Sequence, residues 1–187
     1  MTDTELQLFV ISYGLIPARL GAELGAGVMA GVLPLVTYQF LHGGWLHLIG
    51  NMLYLWVFGD NIEDRVGHFR YLVFYLLVGV LAGLVQVFFR PGSVVPVIGA
   101  SGAVAGVLGA YLVSCPRARV LALVPIFFWV PVELPATIFL GFWFILQLFS
   151  GAASIGAEVA VAWWAHIGGF VAGMLLVRYF GKIINCE

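Results

Sequence analysis

Charge is what this sequence has least of. Only 9% of its 187 residues are Asp, Glu, Lys or Arg, against 63% that are hydrophobic; soluble domains carry about 25% charged residues. Mean hydropathy is +1.08. A water-soluble globule of this composition would leave most of its apolar surface wet, which folding in water does not tolerate. The sequence therefore reads as an integral membrane protein. A formal net charge of −1 excludes a nucleic-acid binder working through a basic face. Two cysteines, Cys115 and Cys186, are too few for a disulfide scaffold or a thiolate metal site. His42, His47, His68 and His166 share no HExxH or comparable spacing, so no metal and no other cofactor is expected. Met1 to Leu20 has neither a basic start nor a small-residue cleavage site, so no cleavable signal peptide is read there.

Long apolar runs are what is present. A span needs about 20 apolar residues, at about 1.5 Å each, to cross about 30 Å of hydrocarbon. Four stretches qualify, near Gly44–Gly59, Phe69–Phe89, Ile98–Ser114 and Val159–Phe180, and a fifth lies near Val132–Phe149. Pro125 and Pro131 keep the preceding run, Val120–Pro131, from being one straight helix. The expectation is an all-α, polytopic bundle of about five spans over residues 44–181, in a single membrane domain covering 1–187. Residues 1–43 read as a partly embedded outer loop, with an extra span within Leu24–Leu41 as the alternative. Arg65, Arg70, Arg117, Arg119, Arg178 and Lys182 fall on one side of these spans, and only Arg19 and Arg90 on the other. The positive-inside rule then puts Met1 outside and both cysteines at the cytosolic face.

Polar residues inside spans are costly and are functional candidates by default. His47 and Asn51 lie on the first span, Ser101 on the third and His166 on the fifth. Counting from each inner boundary places all three groups about 18–20 Å up. His47 and Asn51, at i and i+4, leave the same helix face. Ser101 sits in Gly99-Ala100-Ser101-Gly102, where Gly99 and Gly102 read as helix-packing residues whose missing side chains let a neighbouring helix or a substrate backbone approach closely. Gly102 with Gly106, and Gly169 with Gly173, form two small-xxx-small faces able to pack backbone to backbone, bringing Ser101 within reach of His166.

These residue types suggest acyl transfer. A serine hydroxyl needs a base, and histidine serves near neutral pH; a developing oxyanion needs preorganised donors. The available donors are the Ser101 backbone N–H, the His47 ring and the Asn51 amide. With no acid on these spans at that depth the pair reads as a dyad, and Glu158 is a remote candidate to orient His166. His42 reads as interfacial, with a loop residue near the site as the alternative, and His68 as solvated. Trp45, Trp163 and Trp164 read as an aromatic belt, Phe142, Trp143 and Phe144 as lipid-facing or packing bulk, and Asp60–Arg65 as a capped cytosolic turn.

At these residues the sequence resembles the rhomboid intramembrane serine proteases. It carries GASGA at 99–103, HLIGN at 47–51 and AHIGG at 165–169, in that family's order and spacing. The resemblance implies Ser101 as nucleophile, His166 as base, and His47 and Asn51 as oxyanion partners. It also implies single-span membrane proteins as substrates, in a cell membrane, with the site opening to the non-cytoplasmic face. The family core has six spans, so the first is expected to be missing here. The aromatic that some members carry one turn after the serine is Ala105. A catalytically silent, client-binding relative is the competing reading, distinguished by loss of Ser101 or His166; both are present. A transporter would need polar residues through the inner halves of the spans, which are almost wholly apolar. Oligomeric state is left open.

Overall fold

The computed structural model describes residues 2–125, 129–157 and 161–181. The readings of Glu158, Lys182 and Cys186 lie outside the described residues. Within them the chain forms eight α-helices: α1 (Asp3–Tyr13), α2 (Pro17–Ala26), α3 (Val28–Thr37), α4 (Trp45–Val66), α5 (His68–Phe89), α6 (Ser101–Ser114), α7 (Ala136–Ala153) and α8 (Trp163–Phe180). A 3-10 turn covers Tyr38–Phe40. Two antiparallel strands, β1 (Arg119–Pro125) and β2 (Trp129–Pro135), pair with Arg119 opposite Pro135. The proline-broken run is thus a hairpin, the one departure from an all-α fold among the described residues.

Helix α6 is the axis of the molecule, buried along nearly its whole length. Its sequence explains this: Gly102, Ala103, Ala105, Gly106, Gly109 and Ala110 leave room for neighbouring backbones. A Cβ placed on Gly169 would fall on the Gly102 carbonyl, and one on Gly173 would fall on the Gly106 carbonyl. Helices α6 and α8 therefore meet backbone to backbone. Phe58, Ile62, Phe74, Val78, Leu108 and Phe170 fill the core around them. Large apolar side chains cover the outside, including Trp56, Phe69, Phe88, Phe142 and Phe149. Helices α5 and α7 are long and apolar enough to cross a membrane.

Several boundaries differ from the sequence reading. Asp60–Arg65 is not a turn: α4 runs on to Val66, and the break comes at Gly67, whose φ of 84° suits glycine. The Arg65 guanidinium reaches the Ser114 carbonyl at 3.4 Å, meeting the negative end of α6. Ile98–Ala100 is outside α6, which begins at Ser101 itself.

Residues 1–43, read as a loop, hold three short helices. Helix α1 has a Thr2–Glu5 capping box, α2 starts on Pro17, and Gly27 (φ 146°) separates α2 from α3. Each is 10 or 11 residues long, too short to cross about 30 Å of hydrocarbon alone. This segment braces the approach to Ser101. Leu15 and Val97 exchange both backbone hydrogen bonds, at 3.1 and 2.8 Å, and the Gly99 N–H donates to the Tyr38 carbonyl at 2.9 Å.

Candidate active site

The first turns of α4, α6 and α8 meet at one end of the bundle. His47 lies in the first turn of α4, Ser101 opens α6, and His166 lies in the first turn of α8. Ser101 Oγ stands 2.8 Å from His166 Nε2. The other imidazole nitrogen, Nδ1, is 2.8 Å from Gln147 Oε1 on α7. None of the three helices is capped by its own N-cap side chain; the N-cap residues are Gly44, Ala100 and Ala162. The positive ends of their dipoles therefore lie at the site, with the Ala165 N–H of α8 taken by Gln86 Oε1.

His47 is oriented by its own entry turn. The Gly43 N–H donates to His47 Nδ1 at 3.4 Å, which leaves Nε2 as the N–H of the neutral ring. That nitrogen lies over Gly99: a Cβ there would be 2.6 Å from His47 Nε2 and 3.7 Å from Ser101 Oγ. With φ at 121°, Gly99 is required twice, for its backbone conformation and for the ring beside it. Its reading as a helix-packing residue is corrected accordingly, because it precedes α6 and packs on an imidazole. Gly102, Gly106, Gly169 and Gly173 do lie between helices.

Asn51 is buried, and its Nδ2 has no hydrogen-bond partner among the described residues. Buried donors are nearly always paired, so one left open beside a serine hydroxyl calls for a chemical reason. A cavity of about 270 Å³ joins His47, Asn51, Ser101, Trp143 and His166. A larger groove of about 650 Å³ between α4 and α5 touches neither Ser101 nor His166.

Neighbours of these groups revise other readings. Ala105 leaves no aromatic on α6 beside His166, yet the imidazole is walled by Trp163, edge-on at 5.9 Å, and Trp143 at 6.2 Å. Trp143 is thus part of the cavity rather than bulk, and Trp163 faces the site rather than serving only a belt. Trp164 stacks on Phe89 at 3.9 Å. His42 is not simply interfacial, because its ring meets that of His47 edge-to-face at 5.1 Å. His68 pairs with Glu63 at 2.6 Å. Two glutamines went unread in the sequence. Gln147 meets His166, and Gln86 Oε1 accepts the Ala165 N–H at 3.2 Å, one residue before His166. A glutamine inside an apolar run was the available signal for both.

A family model described as a rhomboid domain matches residues 30–183, most of the chain and every site residue above. The chain belongs to the rhomboid family. It is 30% identical over 142 residues to RHOMBOID-like protein 6, mitochondrial, of Arabidopsis thaliana, covering 76% of this chain and 41% of the relative. Rhomboid protein 1, mitochondrial, of Saccharomyces cerevisiae is 29% identical over 162 residues, covering 82% and 43%. Rhomboid protease GluP of Bacillus subtilis is 41% identical over 78 residues, covering 42% and 15%. The chain thus spans less than half the length of these curated relatives. Family membership accounts for the apolar exterior: rhomboids are membrane proteins, and this one presents a lipid-compatible surface around a cavity that holds His47, Asn51, Ser101 and His166.

Proposed function

We propose that this rhomboid is an intramembrane serine endopeptidase that cleaves the transmembrane segments of single-span membrane proteins. The observation that carries the reading is the 2.8 Å contact between Ser101 Oγ and His166 Nε2, facing the unpaired Asn51 amide across a cavity. Nε2 takes the hydroxyl proton as Oγ attacks the scissile carbonyl, and returns it to the leaving amine. The oxyanion is received by the Ser101 backbone N–H, Asn51 Nδ2 and His47 Nε2, in a site whose three helix N-termini favour negative charge. The chemistry uses no cofactor.

In this reading α4 to α8 are the five spans. Most basic residues lie at the end away from Ser101: Arg65 bonds to the Ser114 carbonyl, and Arg70 reaches the Phe180 carbonyl at 3.5 Å. That end is cytosolic by the positive-inside rule, so the cavity opens to the non-cytoplasmic face of the membrane. The substrate helix enters laterally and unwinds locally, so small or helix-weakening residues near the cut favour cleavage. The test is labelling of the purified chain by a serine-directed fluorophosphonate, alongside cleavage of a single-span substrate in liposomes. Wild type should be labelled and should cleave, while Ser101→Ala and His166→Ala should do neither and remain folded. Cleavage by either variant would overturn the assignment. A folded wild type that binds substrate helices but neither labels nor cleaves would indicate a silent client-binding protein.

A further inference from the structure

Gln147 is a buried polar side chain, 7% exposed, on a helix whose other polar residues are Thr137 and Ser150. Burying an amide is costly unless both its ends are bonded. Both are: Nε2 donates to the Trp143 carbonyl one turn back at 3.3 Å, and Oε1 meets His166 Nδ1 at 2.8 Å. The first bond decides the second. Turning the amide over would set Oε1 against a carbonyl oxygen, so the oxygen is the atom that faces the ring. An amide oxygen only accepts. Nδ1 must therefore carry the proton, and Nε2 is left with its lone pair toward the Ser101 hydroxyl at 2.8 Å.

We propose that Gln147 is a positioning residue that holds His166 in the Nδ1–H tautomer, the form in which Nε2 serves as base. The proposal rests on the protease reading above. Other groups around the ring do not make this choice. Ser101 and His47 lie on the Nε2 side, and Trp143 and Trp163 present only ring faces or edges. No carboxylate bonds to His166 among the described residues. When His166 takes the serine proton, Oε1 still accepts from Nδ1–H and supports the imidazolium. A neutral acceptor does this without placing an ionised acid in an apolar setting, where an imperfectly paired charge is expensive.

The test uses the full chain in proteoliposomes, with Ser101→Ala as blank. Gln147→Met keeps the side-chain length and removes the acceptor; Gln147→Glu keeps an acceptor oxygen. Gln147→Met should lower kcat about five- to tenfold, the worth of one neutral hydrogen bond, with KM for a single-span substrate unchanged. Nitrogen-15 NMR of histidine-labelled protein, with His166 assigned by its absence in His166→Asn, should show the Nε2–H tautomer emerging in Gln147→Met. Gln147→Glu should restore the Nδ1–H form and most of the rate. Wild-type kinetics in Gln147→Met, or a slowed variant with unchanged tautomer, would overturn the proposal. Should Gln147→Met not fold, Gln147→Glu decides, since loss of the Nδ1–H form there refutes the role. A wild type without fluorophosphonate labelling would instead defeat the protease reading itself.

Discussion

Gly106→Ala is the most direct probe of how the glycine seams set the site. A Cβ at residue 106 would lie 2.6 Å from Val78 Cγ2, 2.8 Å from Val78 Cβ and 3.2 Å from the Gly169 carbonyl oxygen. Carbon pairs are comfortable at about 3.5–4.0 Å, so α6 must move about 1 Å away from α5, or Val78 must leave its place. Overpacking of this kind costs about 1–3 kcal/mol. The same helix begins at Ser101, whose Oγ is 2.8 Å from the imidazole, and a misplacement of about 1 Å at reacting groups costs about 10²-fold in rate. Thermal denaturation in detergent and the rate of fluorophosphonate labelling should therefore fall together. Val78→Ala removes Cγ2, the atom nearest the new methyl group, and leaves Cβ at 2.8 Å, so the double variant should regain part of the labelling rate; the coupling comes from the full cycle. A Gly106→Ala protein as stable and as reactive as wild type would refute the argument. So would a double variant no better than the single one.

Three further outcomes follow from other contacts. Asn51→Ala should label and fold normally but lose about 10²–10³-fold in kcat with KM little changed, because its amide acts on charge present only in the transition state; steady-state kinetics in liposomes checks this. Arg90 donates to the Ser154 and Ala157 carbonyls at 2.6 Å each, tying the end of α5 to the end of α7. Arg90→Ala should lower stability by about 1–3 kcal/mol in a chemical melt. Burial, and then the neighbouring His47, hold the His42 imidazole below its ordinary 6.5, against a backbone hydrogen bond that raises it. The folded chain then binds fewer protons there than the unfolded one, so stability is full above pH 6.5 and declines as pH falls through that value. His42→Gln should blunt the decline in thermal melts taken from pH 8 to 5.

The sequence reveals the polar groups more readily than the backbone that carries them. Ser101, His47, Asn51 and His166 stand out because a polar residue in an apolar run is rare, and the glycines around them mark where helices approach closely. Counting residues up from the inner boundary levels three of these groups, but the structural reason is different: each sits in the first turn of a helix, and α6 is only 14 residues long. The N-terminal helices escape the reading because Gly14 and Gly27 cut them into pieces shorter than any span. The continuation of α4 through Asp60–Arg65 escapes it because a run of charge reads as a helix end. Gln147 and Gln86 stand out as polar residues in apolar runs, but their roles do not. Their partners are 19 and 79 residues away in sequence, and only the packing of α7 and α5 against α8 gives a lone glutamine a purpose.

The placement of the site at helix beginnings answers a problem that membrane chemistry imposes. A soluble hydrolase can support a developing oxyanion and an imidazolium with ionised side chains, but within a bilayer each such group must be desolvated. This chain places Gly44, Ala100 and Ala162 as N-caps where Ser, Thr, Asp or Asn would be favoured. A side-chain cap on α6 would occupy the N–H groups that the proposed oxyanion would use. The three helix ends instead present roughly half a positive charge each at no ionic cost; on α8 a neutral amide, Gln86, takes the Ala165 N–H just before His166. In the proposed mechanism the imidazolium would be supported in the same manner by a neutral amide oxygen on α7, 2.8 Å from His166 Nδ1. Such dipoles hold only if the helices are locked in place, because a partial charge loses its effect within about one helical turn. That requirement is what the Gly102–Gly169 and Gly106–Gly173 contacts meet: they fix α6 against α8 by backbone, with no flexible side chain between them. Rigid packing and uncharged catalysis are, on this reading, the same design constraint.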